Sequence, residues 1–186
     1  MKTFTFILLV FSFSFVHISS GYSKDFSEKE IPEVQKLDSV PNMFQCENMF
    51  YSGQPNLETL EWVQTQGVDL IINLRSENEN KDFSESSFNE KEIASELKMQ
   101  YVSIPVAGHD SYTPENLAKF ADAMNGHYNK VLIHCGSAGR VTTFMMAYLV
   151  EYKNYDLSDA IRFGKQIKFS FPLENLLSKE IVWDTK

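Results

Sequence analysis

Apolar and polar positions along the chain switch repeatedly between the spacing of a buried strand and that of an amphipathic helix. Residues 68–74 (VDLIINL) are apolar almost without a break, the pattern of a strand covered on both faces. Residues 101–104, closed by Pro105, and Val131-Leu132-Ile133 read as shorter strands, and residues 43–52 as a strand or hairpin. The turn Ser52-Gly53-Gln54-Pro55-Asn56 ends in a good N-cap residue, and Leu57, Leu60 and Val63 then recur at helical spacing up to a capping Gly67. Residues 89–99 predict a second helix through Ile93 and Leu97, with residues 75–87 before it read as a polar loop. Thr113-Pro114 opens a third, whose Leu117, Phe120, Ala121 and Met124 follow the i, i+3, i+4, i+7 template. After residue 140, Val141, Phe144, Met145, Tyr148 and Leu149 mark a helix apolar almost all round, hence buried. A last helix spans about 157–167, and the tail from 169 to 186 is expected on the surface. Strands alternating with helices predict an α/β domain with a largely parallel sheet.

The chain of 186 residues suits one domain. Its start has a different character. Lys2 precedes an almost uncharged apolar run over residues 4–18, followed by Ser19, Ser20, Gly21 and Ser23 before charge returns at Lys24. That order is the pattern of a secretory signal peptide, and the run is short for a membrane span of roughly 20 apolar residues. The expected organisation is a signal peptide over 1–23, a polar arm over 24–42 and a domain over 43–186. The expected location is periplasmic or secreted, without stable membrane insertion after cleavage. Loss of Lys2 takes the formal charge of −8 to −9, and an acidic chain without Lys/Arg clusters argues against nucleic acid as a partner. Cys46 and Cys135 are the two cysteines, too few for a disulfide-stapled fold, and the four histidines lack metal-ligand spacing.

Chemistry concentrates in His134-Cys135-Gly136-Ser137-Ala138-Gly139-Arg140, between a buried strand and a buried helix. In open α/β sheets ligands bind beyond the carboxyl ends of strands. Two glycines and two small residues let successive backbone N–H groups turn inward, and the helix start adds partial positive charge, so the segment predicts an oxyanion nest. Arg140 can close a bidentate fork over the anion. Cys135, at the floor of the nest beside a helix N-terminus and an arginine, is placed to act as a thiolate nucleophile. His134 is expected to orient the loop, and Thr142 or Ser137 to supply a hydroxyl near the thiol.

These residues resemble the His-Cys-x5-Arg-Ser/Thr signature of protein tyrosine and dual-specificity phosphatases. Here four residues separate Cys135 from Arg140, and Val141 follows the arginine. The segments Tyr51-Ser52-Gly53-Gln54-Pro55 and Ile72-Asn73-Leu74-Arg75 extend the likeness, over about residues 46–167, to the bacterial beta-lactamase-hydrolase-like phosphatases with a shortened Cys-x4-Arg loop. The resemblance implies a phosphatase-like three-layer fold, hydrolysis of a phosphorylated protein or small molecule through a phosphocysteine, and no cofactor. It also implies a general acid on the loop 104–114, where Asp110 precedes Pro114 by four residues. His109 is the substitute donor, Asp110 could equally be a solvated turn residue, and Glu115 is a favourable first-turn charge.

Two other functions remain open at this level. A rhodanese-like sulfurtransferase also uses a Cys-x4-Arg loop, with a persulfide on the cysteine, and a non-catalytic module could bind anions in the same nest. Arg75 is expected to pair with a nearby carboxylate rather than approach the anion, and Gln54 and Asn73 to be structural hydrogen-bonders. Cys46 is either an inert buried thiol or a disulfide partner for Cys135.

Overall fold

A computed structural model describes residues 30–126, 128–168 and 173–181. The expected signal peptide, the first residues of the arm and parts of the tail therefore lie outside the described residues. Six strands form one mixed sheet: β1 (Gln35–Leu37), β2 (Met43–Cys46), β3 (Met49–Ser52), β4 (Leu70–Asn73), β5 (Gln100–Ser103) and β6 (Val131–His134), in the spatial order β1-β2-β3-β6-β4-β5. The half β3-β6-β4-β5, which leads into the loop 134–140, is parallel, as the alternating pattern predicts. An antiparallel edge, β1-β2-β3, is added to it. The arm is thus not wholly irregular, since its residues 35–37 supply the edge strand.

Alternate residues of each central strand enter opposite cores, the two-residue period of a pleated sheet. Tyr51, Leu70, Ile72, Val131 and Ile133 face one side, and Phe50, Ile71 and Leu132 the other. The first core is built against α4 (Pro114–Met124), α5 (Gly139–Lys153) and α6 (Leu157–Lys165), the second against α1 (Leu57–Thr65) and α3 (Glu90–Glu96). Helices on both faces give three layers, and helix α5 is buried from Val141 to Leu149 except at its last turn. Aromatic edges lock it in place: Phe120 stands 5.6 Å from Phe144 and 5.7 Å from Tyr148. The tail departs from expectation, because α7 (Glu174–Leu177) brings Leu176 and Leu177, with Leu173 before it, into the core.

Residues 77–86 are the other departure. They form a helix, α2 (Glu77–Ser86), where a polar loop is expected, and none of its residues is buried. With no apolar face to show a period, its helicity rests on local chemistry. The Ser76 hydroxyl accepts from the Glu79 N–H at 3.2 Å while the Glu79 carboxylate accepts from the Ser76 N–H at 2.8 Å, a reciprocal capping box.

The register also corrects the disulfide alternative. Cys46 pairs with Met49, and Met49 with Val131, four residues before Cys135. At about 3.3 Å per residue the two thiols are about 13 Å apart along the strands alone, whereas a disulfide needs Cα atoms within about 7 Å. Both are buried and free.

Candidate active site

Cys135 enters the loop from a strand held on both sides. The Cys135 N–H donates to the Ser52 carbonyl at 3.3 Å, and the His134 carbonyl accepts from the Leu74 N–H at 2.9 Å, so neighbouring strands grip the chain on either side of the turn. Beyond it the segment 52–54 supports the loop: Gly53 forms a β-bridge with Ser137, and the Gln54 N–H reaches the Gly136 carbonyl at 3.4 Å. Gly53 fits there because it lacks a side chain, since a Cβ would stand 3.1 Å from the Gly136 carbonyl and 2.4 Å from the Asn42 amide.

Ala138 then adopts a left-handed conformation (φ 66°) as the residue before α5, an arrangement that costs a non-glycine residue about 1–2 kcal/mol. Strain of this kind persists where the surroundings over-determine the backbone. Here the Ala138 carbonyl accepts from the Thr142 N–H at 3.0 Å and the Thr142 hydroxyl at 2.9 Å. Thr142 therefore commits its proton to the loop backbone. No side chain caps the start of α5, so the first N–H groups of a long buried helix remain for an anion. On the rim, Lys168 Nζ contacts the Ser137 carbonyl at 3.2 Å.

Arg140 is fixed by its partners. Its Nη1 and Nη2 each lie 2.6 Å from an oxygen of Glu79, and Nη1 also donates to the Val106 carbonyl at 2.9 Å. A guanidinium has five N–H groups; three engage Glu79 and Val106, so the edge formed by Nε and the second N–H of Nη2 is what remains for the Cys135 side. The thiol of Cys135, 1% exposed, adds to the raised pKa of Arg140, whose first cause is the bond to Glu79. Glu79 is held at about 2, chiefly by Arg140 and with help from Ser76. Sequence reasoning missed Glu79, although Ser76-x-x-Glu79 is a capping-box signal.

Arg75 behaves as a partner of this cluster. Its Nη1 donates to Gln54 Oε1 at 2.6 Å, its Nε is 3.9 Å from Glu79 Oε1, and its plane lies 5.2 Å over the Phe83 ring. Asn73 receives the Arg75 N–H at 2.7 Å, so both Gln54 and Asn73 act through hydrogen bonds to neighbours.

The expected acid loop is pinned at several points. The Ser111 hydroxyl bonds both the N–H and the carbonyl of Ala107, Asn116 Nδ2 donates to the Ser111 carbonyl at 2.9 Å, and His109 Nδ1 is 2.9 Å from Asn175 Nδ2 on α7. Asp110 lies in a short 3-10 turn (His109–Ser111), exposed, and lines a surface hollow with Tyr112, Glu115, Glu174 and Lys179 that includes neither Cys135 nor Arg140. Tyr112 lines the same hollow, with its ring packed on α5. Its ring rests 6.0 Å from Phe144, one turn after Arg140. Its phenol is pushed up in pKa by burial and feels the charges of Arg140, Cys135 and Glu79. Glu115 is the expected first-turn charge of α4, lowered in pKa by its backbone and by Thr113. Among the described residues no three His, Cys, Asp or Glu side chains gather as metal ligands.

A buried cysteine at a strand end, close to an arginine in the first turn of a buried helix, is the arrangement that a cysteine-dependent phosphatase uses. A family model described as the dual-specificity protein tyrosine phosphatase fused to NAD+ kinase matches residues 29–168. The chain belongs to this phosphatase family and is a protein tyrosine/dual-specificity phosphatase-like hydrolase. A comparison with curated proteins gives no match. Among solved structures, the chain is similar to a DUF442 candidate phosphatase of Shewanella putrefaciens CN-32 (25% identity, TM-score 0.50, 71% of this chain and 77% of that one). It also shares its fold with Pseudomonas aeruginosa TpbA, solved as a cysteine-to-serine variant in complex with phosphotyrosine (14% identity, TM-score 0.53, 81% and 86%). PTPMT1 matches likewise (20% identity, TM-score 0.57, 71% and 88%).

Proposed function

We propose that the chain hydrolyses phosphomonoesters through a phosphocysteine on Cys135, and that it does so after export from the cytoplasm. The observation that carries the reading is that Glu79 and Val106 hold Arg140 on one side while the Cys135 thiol is its neighbour on the other. In the first step the thiolate attacks phosphorus, a P–S bond forms, the P–O bond breaks and the leaving oxygen takes a proton. The loop amides of Gly136, Ser137, Ala138 and Gly139 and the Arg140 edge hold the equatorial oxygens, the largest source of catalysis in such transfers. In the second step water attacks the phosphocysteine and gives a proton back to the donor as the new P–O bond forms, the P–S bond breaks, phosphate leaves and the thiolate returns. His134 and Thr142 support the loop from behind and from the helix. The proton donor lies on the loop 106–113, Asp110 by its chemistry and Tyr112 by its placement. TpbA's complex with phosphotyrosine supports a phosphotyrosine-containing protein as one substrate class, beside small phosphomonoesters. The apolar stretch over residues 4–18 supports export.

The short Cys-x4-Arg loop is the one observation that favours a sulfurtransferase, and family membership weighs against it. Purified protein and its Cys135→Ser variant, assayed on an aryl phosphate and on thiosulfate with cyanide, separate the readings. Phosphate release that disappears in the variant is expected. Thiocyanate formation would support persulfide chemistry instead, and silence on both substrates a binding module. Export is checked by fractionating cells that express the full chain, where an uncleaved cytoplasmic product would overturn it.

A further inference from the structure

Behind Cys135, on the other face of the sheet, His134 meets a group of polar side chains to which the reaction as written gives no role. Strand alternation sends Ile133 and Cys135 into the core under α5 and Leu132 into the core under α3, and the same alternation turns His134 to the α3 side. There its Nε2 stands 2.9 Å from Oε1 of Glu90, the first residue of α3, with the two side chains 0% and 5% exposed. The pair is at ion-pair distance but off the axis of a hydrogen bond, and His134 Nδ1 has no hydrogen-bond partner among the described residues. The second oxygen of Glu90 accepts from Asn73 Nδ2 at 3.1 Å. That amide also lies 2.7 Å from the Tyr101 hydroxyl and 3.0 Å from Asn80 Oδ1, three acceptors around two N–H groups. Tyr101 is pushed up to about 12, by burial first and then by the charge of Glu90, so its hydroxyl keeps its proton.

A carboxylate shielded from water is costly unless it is paired, and an ionised one can only accept. Nε2 of His134 must then carry the hydrogen that faces it. Which ring nitrogen is protonated is set by the partner of the other, a detail that governs what a histidine can do. The backbone adds the connection to chemistry. The His134 carbonyl is anchored by the Leu74 N–H, and a single peptide unit separates this residue from Cys135. We propose that Glu90 is a positioning residue for the nucleophile: by holding His134 through Nε2 it fixes the ring, its tautomer and the turn from which Cys135 enters the loop. This rests on the reading of Cys135 as nucleophile.

The competing role is structural only, a polar plug that keeps α3 on the sheet. Glu90→Gln keeps the size but lets the side chain donate as well as accept, which releases the tautomer. A double variant, Glu90→Met with His134→Leu, replaces both buried polar groups with apolar ones, an exchange that often preserves stability. Four readouts apply: nitrogen NMR of the His134 ring, alkylation of Cys135 by iodoacetamide, kcat and KM on an aryl phosphate, and thermal melting. The wild-type ring is expected to be protonated at Nε2 and the Gln variant to show mixed tautomers. In that variant kcat and the alkylation rate fall on the order of 100-fold, as misplacement of a reacting group by about 1 Å allows, with KM little changed. The double variant is expected to melt near the wild type yet stay slow. Wild-type kcat and alkylation rate in either variant would overturn the proposal. A wild-type protein that turns over no phosphate would strike the phosphatase reading alone, because NMR and alkylation still decide the role of Glu90.

Discussion

Glu79 holds Arg140 through both terminal nitrogens, at 2.6 Å each, although the two residues are 61 positions apart and α2 buries nothing of its own. The carboxylate leaves the Nε edge of the guanidinium free, so it aims the arginine rather than filling its fork. Glu79→Gln keeps one acceptor and removes the charge, while Glu79→Ala removes both. Each is expected to lower kcat/KM, the alanine variant on the order of 100-fold, because a misdirected guanidinium misses the equatorial oxygens. Steady-state kinetics with an aryl phosphate check this. Tighter inhibition by vanadate in the Gln variant would show instead that Glu79 competes with the anion.

The same pair sets an acid limit. Glu79 is lowered from 4.5 to about 2 in the folded chain, so its stabilisation is complete above pH 4.5 and is lost as pH falls through the folded value near 2. With the carboxylate 37% exposed, solvent screens much of the effect. The wild type is expected to be more stable than the Glu79→Gln variant at neutral pH and to lose that advantage only below pH 4.5. Chemical denaturation midpoints of the two proteins at pH 6 and pH 3 test it, and a difference that stays constant across that range contradicts it.

What the sequence makes legible, and what it hides, follows from how each interaction is spread along the chain. The loop from His134 to Arg140 is contiguous, and the apolar runs on either side name the strand and helix that support it. The parallel half of the sheet is readable for the same reason, since β4 and β6 are buried on both faces. Helix α2 is hidden because periodicity measures burial, and its residues have none. Glu79 goes with it, as does Glu90, which reaches His134 across 44 positions with no local pattern to join them. Strand β1 is hidden because an edge of three partly exposed residues needs only backbone pairing. Asp110 shows the reverse case: a suitable spacing before Pro114 says nothing about which side of the loop faces the thiol.

Gly53 tests how tightly the loop is supported from β3. A methyl group there meets the Asn42 amide, which can rotate away, and the Gly136 carbonyl, which belongs to the loop itself. Gly53→Ala is expected to destabilise the fold by about 1–3 kcal/mol, the usual cost of overpacking, and to lower kcat as the loop shifts. Gly67→Ala serves as the comparison. It meets nothing within 4 Å, and its positive φ of 88° lowers stability without touching the site, so its kcat should match the wild type. Equal kcat in the two variants would refute the support assigned to Gly53.

Cys46 is expected to be chemically silent. Burial pushes its thiol up from 9.0 to about 11, with help from the neighbouring Glu47 charge, and the register keeps it away from Cys135. A raised thiol favours the folded state below pH 9 and loses that contribution as pH rises through about 11. Iodoacetamide at pH 8 followed by peptide mass spectrometry should label Cys135 and spare Cys46 until the chain is unfolded. Protein purified without reductant should contain no link between them, and a Cys46–Cys135 peptide would contradict the register.

The donor on the acid loop is decided by leaving groups. A good leaving group departs without a proton, whereas an alkoxide needs one, so a general acid variant loses rate selectively on alkyl phosphates, by about 100- to 10,000-fold. Asp110 would have to turn inward from a 3-10 turn whose neighbours His109 and Ser111 are both hydrogen-bonded in place. Tyr112 already packs on Phe144 in the second turn of α5, and its raised phenol retains the proton to be given. Tyr112→Phe keeps the ring on Phe144 and removes only the hydroxyl. It is expected to retain activity on a nitrophenyl phosphate and to lose it on an alkyl phosphate, with Asp110→Asn close to wild type on both. The opposite assignment, selective loss in Asp110→Asn and none in Tyr112→Phe, would mean that the turn swings inward during catalysis.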